Sequence, residues 1–173
     1  MNNSKQPEAW QRGPVPGVPG LLQPVAHALI QATEEVHFAT EELDAESLWE
    51  KPAGVASVGF HLQHIRGVLD RLFTYARGEV LNKEQLQLLA TEEQPRQEGV
   101  LSCELVALFK GQVDLALEQL RHTDESTLLQ PRGIGRKQIP TTVIGLLVHA
   151  AEHTQRHVGQ LIVTARVIAK KDY

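Results

Sequence analysis

The C-terminal segment constrains the fold most, because it carries a helical apolar pattern that no proline interrupts. From Thr141 to about Ala169, apolar residues recur at three- and four-residue spacing, which is typical of one face of an α-helix. At 100° per residue they cover an arc from about 140° to about 300°, counted from Thr141. The pattern predicts a long helix with Thr141 or Thr142 as its cap and one side buried.

Three histidines lie in this predicted helix at four-residue spacing: His149, His153 and His157. Residues four apart share a helix face, with Cβ atoms roughly 5–6 Å apart, so two such imidazoles can bind one metal ion. His157 falls inside the apolar arc and His153 at its border, whereas His149 falls outside it, beside Arg156. The pair that faces the interior is therefore predicted to be His153 with His157.

A second helical segment offers a third imidazole. Ser57 is a good N-cap, and the helix that follows is expected to reach about Arg77, with Gly78 at its C-terminal stop. Both His61 and His64 lie in this segment. The apolar pattern places His61 on the buried side and His64 at its edge. The pattern alone slightly favours His61 as the inward residue, so both histidines are candidates.

The remaining segments predict an all-α protein. Residues 1–20 are rich in proline and glycine, which disfavours a helix and predicts an irregular arm over the surface. Residues 21–173 are expected to form one domain. Four long amphipathic helices without a convincing strand predict a four-helix bundle. The other expected elements are helices at about 21–43 and 102–122, a short extra helix opened by a capping box at Asn82, and a loop or small hairpin at 131–140.

Composition excludes several classes of protein. The net charge is −4 and no Lys/Arg cluster stands out, so binding to nucleic acid is not expected. The apolar runs are shorter than the ~20 residues that cross a bilayer, and the N-terminus lacks the apolar block of a signal peptide. Cys103 is the only cysteine, which excludes an intramolecular disulfide and a cysteine-based zinc site. A cytoplasmic protein with no membrane partner is expected.

From about residue 20 onward the chain resembles the DinB/YfiT-like superfamily of metal-dependent enzymes. Its members are four-helix bundles in which one histidine of the second helix and an H-x-x-x-H pair of the last helix bind a divalent metal. The family's second-helix pattern, a serine or threonine followed seven residues later by a histidine, matches Ser57 and His64 and does not match His61. The last-helix pair maps onto His153 and His157. The resemblance therefore implies metal ligation by His64, His153 and His157.

Such a site points to two reaction classes. Three neutral imidazoles leave a divalent ion its full charge and an open position, as in catalytic metal sites. Water bound there ionises near neutral pH, and a bound thiol is deprotonated. No protein side chain is identified as the catalytic group, which would be the metal-bound water or thiol. Imidazoles suit zinc, nickel, copper or iron, with zinc or nickel expected.

The substrate is expected to be a small molecule. A few members of the superfamily are transferases or isomerases that use the thiols bacillithiol or mycothiol. The resemblance therefore implies S-transfer with a low-molecular-weight thiol, beside metal-hydroxide hydrolysis.

Flanking residues and another function class complete the set of hypotheses. Glu152, His61 and His149 are candidates for contacts that orient the ligand imidazoles, although a wheel position near about 20° makes Glu152 better suited to an exposed helix face.

The alternative function is a non-enzymatic helical module that dimerises or binds a partner, because the helices are plainly amphipathic and no general base is evident. The resemblance implies a homodimer.

Overall fold

Four long helices dominate the computed structural model, which describes residues 6–95 and 99–169. The predicted all-α four-helix bundle is confirmed, and the segment at 131–140 forms the small hairpin. In chain order the elements are α1 (Gln23–Thr40), α2 (Val58–Ala76), α3 (Lys83–Thr91), α4 (Ser102–Arg121), the antiparallel strands β1 (Pro131–Ile134) and β2 (Ile139–Thr142), and α5 (Val143–Ala169).

The long helices are arranged as a ring in which α4 and α5 each contact both α1 and α2. The core between them is aliphatic with two phenylalanines, and its largest fully buried side chains include Phe73, Phe109, Leu29 and Leu147. The short helix α3 packs on α2, outside the ring. Within the described ranges, no helix is both long and apolar enough to cross a membrane.

Local hydrogen bonds explain where the site-bearing helices begin and end. The Ser57 hydroxyl accepts a hydrogen bond from the Phe60 amide at 3.1 Å and caps α2. Gly78 follows α2 with a φ of +81°, the left-handed conformation that suits glycine at a helix end. Of the two threonines proposed to cap α5, Thr142 does so, because its hydroxyl accepts from the Gly145 amide at 3.1 Å.

The N-terminal segment is fastened to the bundle. The Ala9 amide donates to Gln31 of α1 at 2.9 Å, and both terminal nitrogens of Arg12 donate to Glu34, at 2.8 and 2.7 Å. The prediction that this segment contains no helix was wrong for one turn, because Ala9–Arg12 forms a 3-10 helix. The prolines and glycines flank this turn and do not interrupt it.

The helices are held together by burial of apolar side chains, which predicts different outcomes for two leucines of α4. Leu120→Ala should lower the free energy of unfolding by about 2–5 kcal/mol, because Leu120 is fully buried and the change leaves a cavity. Leu115→Ala is the matched control: Leu115 is 66% exposed, and a change within about 0.5 kcal/mol is expected. Urea unfolding measures both values. Equal losses would contradict the assigned rotation of α4.

Candidate metal site

The packing of α2 against α5 brings three histidines to one point. The Nε2 atoms of His64 and His153 lie 3.0 Å apart. The ring of His157 lies 4.4 Å from that of His64 and 4.6 Å from that of His153, between centroids. One potential ligand nitrogen from each residue lies within 4.8 Å of the other two. The three residues that the resemblance to the family implied as ligands therefore form a cluster.

The geometry of this cluster fits a divalent ion. Two nitrogens bound to one ion at 2.0–2.1 Å lie roughly 3.0–3.4 Å from each other. The 3.0 Å between the Nε2 atoms of His64 and His153 is close to that separation. All three histidines are partly exposed, so an ion here can keep a position open toward solvent. The donor set is that of zinc, nickel, copper or iron sites.

A buried carboxylate contacts the ring nitrogen of His64 that faces away from His153 and orients the ring. Nδ1 of His64 lies 2.8 Å from Oε2 of Glu92. An ionised carboxylate can only accept hydrogen bonds, so Nδ1 donates and Nε2 is left for a metal. Glu92 is only 7% exposed, and its Oε1 accepts from Nη1 of Arg71 at 2.5 Å. The two carboxylate oxygens thus serve different partners.

The end of α3 is held in place by α2. Nε2 of Gln63 donates to the backbone oxygens of Glu92 and Gln94, at 2.9 and 2.8 Å. Sequence reasoning missed Glu92, because it lies just after α3 and belongs to no apolar pattern. One residue in the sequence did point to a group packed closely against α2. Gly67 lies inside the helix, one turn after His64, although helix propensity disfavours glycine there.

Gly67 makes room for the carboxylate. A Cβ atom added at this position would lie 2.7 Å from Nη1 of Arg71 and closer still to Oε1 of Glu92. Real Cβ atoms essentially never come so close to another heavy atom. Glycine at position 67 therefore allows the ion pair of Glu92 and Arg71 to lie directly against α2.

His61 supports another member of the cluster. His61 is 3% exposed, and its Nδ1 lies 3.0 Å from Nδ1 of His157. Such a pair shares one proton. If Nε2 of His157 binds a metal, Nδ1 of His157 carries that proton and His61 accepts it. His61 thus contacts a ligand candidate and lies outside the group of three nitrogens.

The other two flanking candidates are exposed. The ring of His149 lies 5.5 Å from that of His153, and its Nδ1 lies 3.6 Å from Oε2 of Glu152. Arg156 donates to Oε1 of Glu152 and lowers the pKa of that carboxyl. The structure therefore pairs Glu152 with Arg156 one turn away, as expected for a carboxylate on an exposed helix face.

Burial favours the uncharged form of three imidazoles near the site. Together with the neighbouring His64, it lowers the pKa of His61 and that of His157 to about 4. Burial also lowers the pKa of His153. Because a metal binds only the unprotonated nitrogen, these shifts favour ligation at neutral pH.

The lowered pKa values predict a pH dependence of stability for the metal-free protein. His61 and His157 stay neutral in the folded state below pH 6.5, where the unfolded chain takes up protons. Their contribution to the free energy of unfolding is therefore complete above about pH 6.5 and is lost as the pH falls toward about 4. His61→Gln should flatten the fall in unfolding free energy over this window, measured by urea unfolding. His122→Gln, at an exposed histidine, should leave the fall unchanged, and identical curves for all three proteins would refute the assignment.

Comparisons with known proteins agree with this architecture. No curated protein sequence is significantly similar to the chain. A crystal structure of a conserved protein from Enterococcus faecalis superposes with a TM-score of 0.67 at 19% sequence identity, covering 86% of this chain and 97% of that chain. At this identity the likeness concerns the fold. The sequence model of the DinB superfamily matches residues 28–161. Since that match spans most of the chain, the chain belongs to the DinB superfamily.

Proposed function

We propose that this protein is a metal-dependent enzyme that binds one divalent cation through His64, His153 and His157 and transfers a small-molecule thiol to an electrophilic substrate. The observation that carries the proposal is the convergence of three imidazoles from two helices at metal-binding separation. Membership in the DinB superfamily supports the same interpretation.

The chain's own residues would hold the cation and limit access to it. A divalent ion on three neutral imidazoles keeps its full charge and supplies Lewis acidity, which lowers the pKa of a thiol or water that binds it. The ring of Phe60 stacks on that of His64, with centroids 5.2 Å apart and planes 17° apart, and meets the ring of His157 edge-on at 6.4 Å. This apolar cover favours a thiol over bulk water at one side of the site.

The carboxylates near the site favour thiol transfer over hydrolysis. Hydrolysis gains from a base that takes a proton from the attacking water. Glu92 is engaged on both oxygens by Arg71 and His64, and Glu152 is engaged by Arg156. A thiol would need no such base, because a cation held by His64, His153 and His157 would lower the thiol's pKa and let solvent take the proton. In the proposed transfer, the thiolate sulfur would form a bond to carbon of the substrate while the leaving group departs with the electrons of the broken bond.

Metal content is the first test. Protein purified without an affinity tag and supplied with zinc or nickel should contain about one ion per chain by elemental analysis. A chelator should lower the Tm of the wild type, because ligand binding stabilises the native state. His157→Ala should bind little metal and show no chelator effect, whereas the exposed His122→Ala should behave as the wild type. A metal content near zero in the wild type would exclude the proposal.

Thiol binding is the second test. Co²⁺-loaded protein should develop a sulfur-to-cobalt charge-transfer absorption when a small thiol is added, because the thiolate binds the open position. Cobalt bound by the His122→Ala control should give the same band. If the band is absent while the loaded protein hydrolyses model esters, hydrolysis replaces thiol transfer as the reaction.

We also propose that the protein forms a homodimer through an exposed face of α5. Val148, Val163 and Val167 are 45–62% exposed and share this face with Gly159, where an added Cβ would meet nothing within 4 Å. A partner helix can therefore approach closely.

Sedimentation velocity tests the dimer. Val163→Glu should shift the wild-type dimer to monomer, whereas Val80→Glu, in an exposed loop, should not. A monomeric wild type would exclude this interface. A dimer that binds no cation would favour the alternative of a non-enzymatic interaction protein.

A further inference from the structure

We infer that Glu92 is a positioning residue that determines which nitrogen of His64 meets the metal, and that Arg71 and Gly67 keep its carboxylate available for this role. The inference rests on the proposed metal site. It extends that site from the two long helices, α2 and α5, to the end of the short helix α3.

The first step concerns the proton on His64. A neutral imidazole has one N–H, and the partner of one nitrogen decides where that proton lies. Glu92 accepts from Nδ1 at 2.8 Å, so Nε2 carries a lone pair. In the contact of 3.0 Å between the Nε2 atoms of His64 and His153, the proton then belongs to His153. His64 would thus already have Nε2 free for a cation, and His153 would have to move its proton to Nδ1 in order to bind a cation through Nε2.

The second step concerns the division of the carboxylate. Burying an ionised carboxylate is unfavourable unless both oxygens find partners. Arg71, itself 8% exposed, bonds Oε1 at 2.5 Å and leaves Oε2 to His64. Because the Arg71 guanidinium can only donate, Oε1 of Glu92 accepts from it, and Oε2 is the oxygen that accepts a hydrogen bond from Nδ1 of His64. The ion pair therefore ensures one direction for the hydrogen bond to His64.

The third step separates this role from simple anchoring of α3. Other contacts already hold that helix on α2. Gln63 bonds two backbone oxygens just after its end, and Nε2 of Gln85 donates to the Thr74 hydroxyl at 2.8 Å near its start. The buried charge of Glu92 is not needed for that purpose. Its distinctive contact is the one with His64.

The test compares two neighbouring carboxylates. Glu92→Gln should weaken zinc binding by about 10–100-fold, the usual effect of removing the partner of a metal-bound histidine. The amide can also turn its NH₂ group toward Nδ1 and so favour the wrong tautomer. Glu93→Gln removes the same charge from the adjacent, exposed side chain and should change affinity by less than about twofold. Competition with a chromophoric chelator measures both.

A second variant leaves every polar group in place. Gly67→Ala improves helix propensity, but its Cβ would collide with the carboxylate of Glu92. The carboxylate must move, so zinc affinity should fall although no ligand or charge is removed. Wild-type affinity in Gly67→Ala would overturn the part assigned to Gly67, and wild-type affinity in Glu92→Gln would overturn the inference as a whole.

A spectroscopic readout distinguishes positioning from a merely structural role. In the metal-free wild type, ¹⁵N NMR should find the proton of His64 on Nδ1, and Glu92→Gln should move part of it to Nε2. A proton on Nε2 in the wild type would overturn the inference even if Glu92→Gln fails to fold. A wild type that binds no cation would overturn the proposed function and the metal-binding part of this inference. Equal zinc affinity in the wild type and Glu92→Gln would overturn the inference alone.

Discussion

The contact between α2 and α5 is the interaction on which the site depends. Leu62, Ile65 and Leu69 of α2 and Leu147 and Val158 of α5 are almost completely buried. Burial of these apolar faces sets the rotation of each helix about its own axis. Histidines next to each apolar stripe are thereby turned toward the same edge of the interface. The three-histidine cluster is a consequence of core packing.

The polar groups at this edge stabilise one another in pairs. Glu92 and Arg71 are both buried, and each would be unfavourable there without the other. The Nδ1 atoms of His61 and His157 lie 3.0 Å apart, within hydrogen-bond distance. A glycine within a helix costs about 1 kcal/mol relative to alanine, and at position 67 that cost is offset by the space it gives to the carboxylate. Each of these groups acts on the site through its neighbour.

The two histidines of α2 show that burial and a place in the three-histidine cluster are different properties. The apolar pattern favoured His61 as the inward residue, and His61 is indeed the more buried of the pair. Its Nδ1 atom, however, contacts Nδ1 of His157. His64, at the edge of the apolar stripe, reaches His153 because side chains from two helices and solvent meet at the edge of an interface.

Local sequence patterns determined the helices, their caps and the pair at positions 153 and 157, because helix periodicity and capping depend on residues within a few positions of one another. They also predicted the bundle, since amphipathic helices must bury their apolar faces against each other. Only the tertiary structure decided that Glu92, paired with Arg71, contacts His64, and that His61 contacts His157. These contacts depend on how far one helix is shifted and turned relative to another, which no periodicity within a single segment records.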